Sequence, residues 1–84
     1  MMGTTGGIVT IDLHGCTTYQ AKIAIDAALR RSRGVYRLRL IHGYHGGTAL
    51  RDMIRKTYGA RAGVLRVEFG LNGGETDLVL REWI

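Results

Sequence analysis

The chain has 84 residues, with twelve basic and seven acidic side chains and a net charge of +5; its isoelectric point is near 10.0. That length implies one domain with a thin core, and a lone cysteine, Cys16, excludes an internal disulfide or a multi-cysteine zinc site. No apolar run approaches the roughly 20 residues that span a bilayer, so no membrane partner is expected and a reducing, cytoplasmic location fits. Ten of the twelve basic residues are Arg, whose planar fork matches phosphate oxygens, so the bias favours a phosphate-bearing partner over a merely soluble surface. Residues 1–7, MMGTTGG, lack the layout of a signal peptide and read as a flexible lead-in to a single domain over 8–84.

Ile8–His14 alternates with strand period, Val9, Ile11 and Leu13 on one side and Thr10, Asp12 and His14 on the other. Gly15-Cys16 breaks it. Thr17 and Gln20 fit a capping box, and Ala21, Ala24, Ile25, Ala28 and Leu29 then form a helical stripe to about Ser32. Val35–His42 alternates again, Tyr36, Leu38 and Leu40 against Arg37 and Arg39. A glycine-rich loop, Gly43-Tyr44-His45-Gly46-Gly47, leads into a second helix from Thr48 to Gly59. Val64–Phe69 reads as a third strand with Leu65, Val67 and Phe69 inward, and Asp77–Trp83 as a fourth with Leu78 and Leu80 inward.

The order βαβαββ, with right-handed crossovers, predicts an α/β chain of the α+β two-layer sandwich type. Its four-stranded mixed sheet has both helices on one face. The other face, carrying Thr10, Asp12, Arg37, Arg39, Arg66, Glu68 and Arg81, is either a plate for a phosphate backbone or a solvated surface of long side chains.

Ligands of open α/β sheets gather at the carboxyl ends of the strands. The predicted topology brings Asp12-Leu13-His14-Gly15 and His42-Gly43-Tyr44-His45-Gly46-Gly47 to one such edge, and with them all three histidines. Two proton carriers (His14 and His42), an orienting carboxylate (Asp12) and glycine amides at a helix start suit phosphate capture or phosphoryl chemistry. Each residue also has a bland role: Asp12 holding loop amides, His14 ending a strand, the glycines serving tight turns. Asp12, His14, His42 and His45 have ligand chemistry for a metal, but no H-E-x-x-H helix or carboxylate cluster accompanies them, so neither a metal nor a cofactor is expected.

At these residues the chain resembles the Smr, or small MutS-related, domain family. The segments IDLHG (Ile11–Gly15), LIHGYHGGTALR (Leu40–Arg51) and NGGETDLVL (Asn72–Leu80) stand where that family has L-D-x-H-G, I-H-G-x-G and a glycine-rich turn with Thr. Two details depart from the pattern. His45 replaces the second loop glycine, and Gly73-Gly74-Glu75-Thr76 is shorter than the usual turn. The resemblance implies a fold like the C-terminal domain of bacterial translation initiation factor three, with this chain expected to be a stand-alone, short form. It also implies nucleic-acid binding, often with DNA-nicking or RNA-cleaving endonuclease activity.

The resulting expectation is an RNA-preferring endonuclease, assumed monomeric, with Asp12, His14 and His42 catalytic. Gly43, Tyr44, His45, Gly46, Gly47, Arg51, Arg37, Arg39 and Arg66 are expected on RNA or DNA phosphates. RNA is favoured because histidines with few carboxylates suit attack by the 2′-hydroxyl, which DNA lacks. The alternative is a module that binds nucleic acid without cutting it.

Overall fold

A computed structural model of the chain describes residues 2–43, 48–70 and 73–82. They form β1 (Met2–Thr5), β2 (Ile8–Asp12), α1 (Thr18–Arg30), β3 (Arg37–Ile41), α2 (Thr48–Tyr58), β4 (Arg66–Phe69) and β5 (Glu75–Val79). The sheet runs β1-β2-β3-β5-β4 among the described residues, with β2 and β3 parallel and the other neighbours antiparallel.

The expected mixed sheet with two helices is therefore present as β2 to β5, and β1 adds to its outer edge. Residues 2–5, expected to be part of a flexible lead-in, pair with β2 because Gly6 and Gly7 take φ of 57° and 83°. Two consecutive positive φ values make the tight turn whose twist matches a hairpin, and glycine adopts them without a Cβ penalty.

Register explains the core. Val9, Leu38, Leu78 and Val67 line up across the sheet, as do Ile11, Leu40, Thr76 and Phe69. These rows meet Ala21, Ile25 and Ala28 of α1 and Leu50, Ile54 and Tyr58 of α2. α1 contributes mostly small side chains to this core, while α2 supplies the larger ones and packs against β5. The predicted capping box is formed: Thr17 Oγ1 accepts from the Gln20 amide at 3.1 Å, and Gln20 Oε1 accepts from the Thr17 amide at 3.0 Å.

Two strand readings shift. The alternation predicts the last strand over Asp77–Trp83, but it lies at Glu75–Val79, which leaves Arg81 beyond the strand. Leu65 and Phe69, expected inward, are 56% and 64% exposed. They point to the helix side, but β4 is the sheet edge and nothing among the described residues covers them fully. Phe69 is instead capped by Arg55 of α2, whose guanidinium carbon sits 3.8 Å from the ring centroid.

A polar clasp joins the helices. The Tyr58 hydroxyl, at the end of a fully buried ring, donates to Asp26 at 2.6 Å, and Arg61 and Lys22 also reach that carboxylate, at 3.2 and 3.3 Å. These donors hold the Asp26 carboxyl below its ordinary range, and burial with the adjacent carboxylate pushes the Tyr58 phenol up. A depressed carboxylate stabilises the fold above about pH 4 and loses that contribution as pH falls. A raised phenol stabilises below about pH 10 and loses its contribution as pH rises. Tyr58→Phe is expected to lower stability by about 1–2 kcal/mol at pH 7, read as a shift of the urea midpoint, and to flatten both flanks of the stability–pH curve.

Candidate functional site

The parallel pair β2–β3 ends at one edge. Leu13 N–H donates to the Ile41 carbonyl at 2.7 Å, extending the pairing by a rung. The chain then turns, with the Cys16 amide donating to the Leu13 carbonyl at 3.0 Å. Leu13 is buried and pins this turn, so its neighbours Asp12 and His14 face outward. One oxygen of Asp12 accepts the His14 backbone amide at 3.1 Å and the His14 Nδ1 proton at 2.5 Å.

These hydrogen bonds, the ring's first, hold the Asp12 carboxyl below the usual carboxylate range. Because Nδ1 donates inward, the neutral ring presents an unprotonated Nε2 to solvent, and the side chain is 74% exposed. An exposed imidazole with a carboxylate fixing its tautomer is the arrangement of a general base.

His42 comes to the same edge but not to the surface. It is 2% exposed, with Nδ1 2.8 Å from the Gly43 carbonyl and Nε2 2.9 Å from Thr76 Oγ1. A carbonyl only accepts, so Nδ1 carries the proton, and in the neutral ring the Thr76 hydroxyl donates to Nε2. Neither ring nitrogen faces a substrate. The backbone amides of His42 and Gly43 both donate to the Gly74 carbonyl at 3.0 Å. His42 thus ties the end of β3 to the turn before β5, and that tie carries Gly43 to the side of His14. Gly43 takes φ of 76°, which favours glycine, and a Cβ there would lie 3.9 Å from the His14 Cβ.

Local sequence pattern does not mark Thr76 and Gly74 as site residues. The signal available was the G-G-E-T run itself, whose Thr is fully buried on the helix side of the sheet. Thr76→Val keeps the shape but strands His42 Nε2 in the interior. It is expected to cost about 1–3 kcal/mol, measurable as a lowered denaturation midpoint.

Tyr44, His45, Gly46 and Gly47 lie outside the described residues. Arg51, in α2, is half-buried, and its Nε donates to Asp52 at 3.3 Å. Among the described residues no group of three or more His, Cys, Asp or Glu could hold a metal ion. No helix among them is long and apolar enough to cross a membrane.

The open sheet face does carry Arg37, Arg39 and Arg66, but not as free cations. Asp77 accepts from Arg37 at 2.7 Å and from Arg39 at 3.1 Å, and Glu68 takes Arg37 at 2.8 Å. Arg66 binds Glu68 and Glu82, both at 2.8 Å, and Glu75 lies 4.0 Å from Arg39. Three guanidinium groups face four carboxylates. These partners hold the three arginines still more firmly protonated, with Asp77 the main cause at Arg37 and Arg39 and Glu82 at Arg66. The face is a compensated network around a cavity of about 420 Å³ lined by Arg37, Arg39, Glu68 and Asp77, rather than a positive plate.

A two-layer α+β domain whose parallel strands deliver Asp-x-His and His-Gly to one edge is the class of protein that fold and site define. The Smr domain family model matches residues 11–75, and the chain belongs to the Smr domain family. The crystal structure of the Smr domain of Thermus thermophilus MutS2 superposes with a TM-score of 0.76 at 34% identity, covering 87% of this chain and 98% of that one. No curated protein sequence matches the chain.

Proposed function

We propose that this Smr domain binds nucleic acid and cleaves RNA at the Asp12–His14 edge. The observation that carries the reading is the exposed His14 ring, held through Nδ1 by Asp12 at 2.5 Å with Nε2 turned to solvent. Nε2 takes the proton of a ribose 2′-hydroxyl, and the 2′ oxygen attacks the adjacent phosphorus. The bond to the 5′ oxygen breaks, and that oxygen takes a proton from water, whose hydroxide recovers the proton held on His14 Nε2. The products are a 2′,3′-cyclic phosphate and a free 5′-hydroxyl. Asp12 stabilises the imidazolium formed in the first step. The N-terminal end of α2, with Arg51 one turn in, favours the phosphate charge. DNA offers no 2′-hydroxyl, so the same pair binds it without this route.

One observation favours a second reading, binding without cleavage. His42 has both ring nitrogens engaged, so His14 is the one solvent-facing imidazole among the described residues. End-labelled RNA and supercoiled DNA, each incubated with and without EDTA, separate the two. RNA cut to cyclic phosphate in the presence of EDTA supports the mechanism. Strict metal dependence sinks it, and binding with no product leaves the second reading.

A further inference from the structure

The charge of the molecule is not where the candidate chemistry is. With Arg37, Arg39 and Arg66 compensated, the excess cations collect at the opposite end of the sheet, where α1 stops and β3 begins. Arg30 ends α1, and Arg31 and Arg33 follow it before the strand; all three are exposed, and none pairs with a carboxylate among the described residues. Arg81 joins them from the segment after β5, the neighbour of β3 in the sheet. Its guanidinium donates to the Ser32 carbonyl at 3.4 Å, and its backbone amide and that of Leu80 donate to the Tyr36 carbonyl at 3.3 and 2.7 Å. Arg61 reaches the same end from the α2–β4 loop, and with Arg30, Leu29, Ser32 and Gly63 it lines a cleft of about 210 Å³. The carboxylate in that cleft, Asp26, already receives Tyr58, Lys22 and Arg61. Arg30, Arg31, Arg33 and Arg81 thus bring four uncompensated charges together in a chain whose net charge is +5.

We propose that this arginine pole is a second nucleic-acid contact, a clamp for backbone phosphates separate from the Asp12–His14 edge. It deepens the nucleic-acid reading above and rests on it. Guanidinium groups gathered from the segment after α1 and the segment after β5 give a multidentate phosphate surface. Their separation from the site follows from the fold. Both the strand from Tyr36 to His42 and the helix α1 span about 20 Å. With 3.4 Å between successive phosphates on one strand, a duplex must run about six base pairs to touch both ends. Contacts at the pole read no bases, so they add affinity and register without sequence preference.

The test is a salt titration of binding to fluorescent 12-base-pair DNA and RNA duplexes by the wild type, Arg30→Gln/Arg31→Gln/Arg33→Gln and, separately, Arg81→Gln. Thermal melts check that each variant is folded. On DNA the triple variant is expected to lower the slope of log affinity against log salt by about 2–3 units, and Arg81→Gln by about one. Shortening the duplex below about six base pairs is expected to remove that difference. A folded triple variant with wild-type slope and affinity overturns the clamp, and if RNA cleavage still depends on His14 the proposed function survives that failure. A wild type that binds neither duplex at low salt overturns the clamp, and one that also leaves end-labelled RNA unbound and uncut overturns both.

Discussion

Asp77→Asn is expected to be the most damaging surface-to-core charge change in the molecule, costing about 3 kcal/mol or more. Asp77 stands on the open face of β5 yet is 6% exposed, because Arg37 and Arg39 fold over it from β3. Its two oxygens receive both guanidinium groups, and Arg37 is itself 19% exposed. Arg37 Nε already lies buried without a hydrogen-bond partner, so that side chain has little spare solvation. Removing one charge from a buried cluster leaves the others uncompensated, which typically costs about 3–5 kcal/mol. The partial exposure of Arg39 argues for the lower end of that range.

A domain of this size has about 4–13 kcal/mol of stability in all, so the loss is a large fraction. Thermal unfolding should show a drop of roughly 12–24 °C. A change below about 1 kcal/mol would mean that the network relaxes onto Glu68 and Glu75 and that Asp77 is not its centre.

His14→Ala is expected to reduce RNA cleavage by about 10²–10⁴-fold, the usual contribution of a general base, while leaving the fold intact because the ring is exposed. Asp12→Asn is expected to fall between that variant and the wild type. The amide still accepts the His14 backbone hydrogen bond but no longer stabilises the imidazolium or favours the productive tautomer. Because Asp12 sits below the usual carboxylate range, it keeps its charge through the mildly acidic region, and the pair stays oriented to below about pH 4. Cleavage rates at saturating RNA, followed by cyclic-phosphate formation, measure both variants. Undiminished cleavage by His14→Ala would place the chemistry elsewhere, whereas lost binding with unchanged turnover would make His14 a phosphate contact.

Much of this site is legible in the linear order of residues. The alternation of Val9, Ile11 and Leu13, the Thr17–Gln20 capping box and the spacing of Leu50 and Ile54 are local signals, and each element forms where they place it. Parallel pairing of the first two predicted strands then brings Asp12, His14 and His42 to one edge. The difference between His14 and His42 is not legible in this way. Both follow a strand and both precede a glycine, yet one ring is exposed and the other is enclosed by Gly43 and Thr76. That outcome depends on the turn at residues 73 and 74, more than thirty positions away.

The arginines follow the same division. Period-two alternation suffices to put Arg37 and Arg39 on the face opposite Leu38 and Leu40, since successive strand side chains must point to opposite sides. It says nothing of what stands across from them. The antiparallel register of β5 sets Asp77 directly beside Arg39, and a register slip of one residue would turn that carboxylate into the apolar core. Composition and local pattern therefore decide the elements, their apolar faces and the excess of positive charge. Long-range strand pairing decides which histidine is free, which arginines are neutralised and at which end of the molecule the remaining charge is left to act.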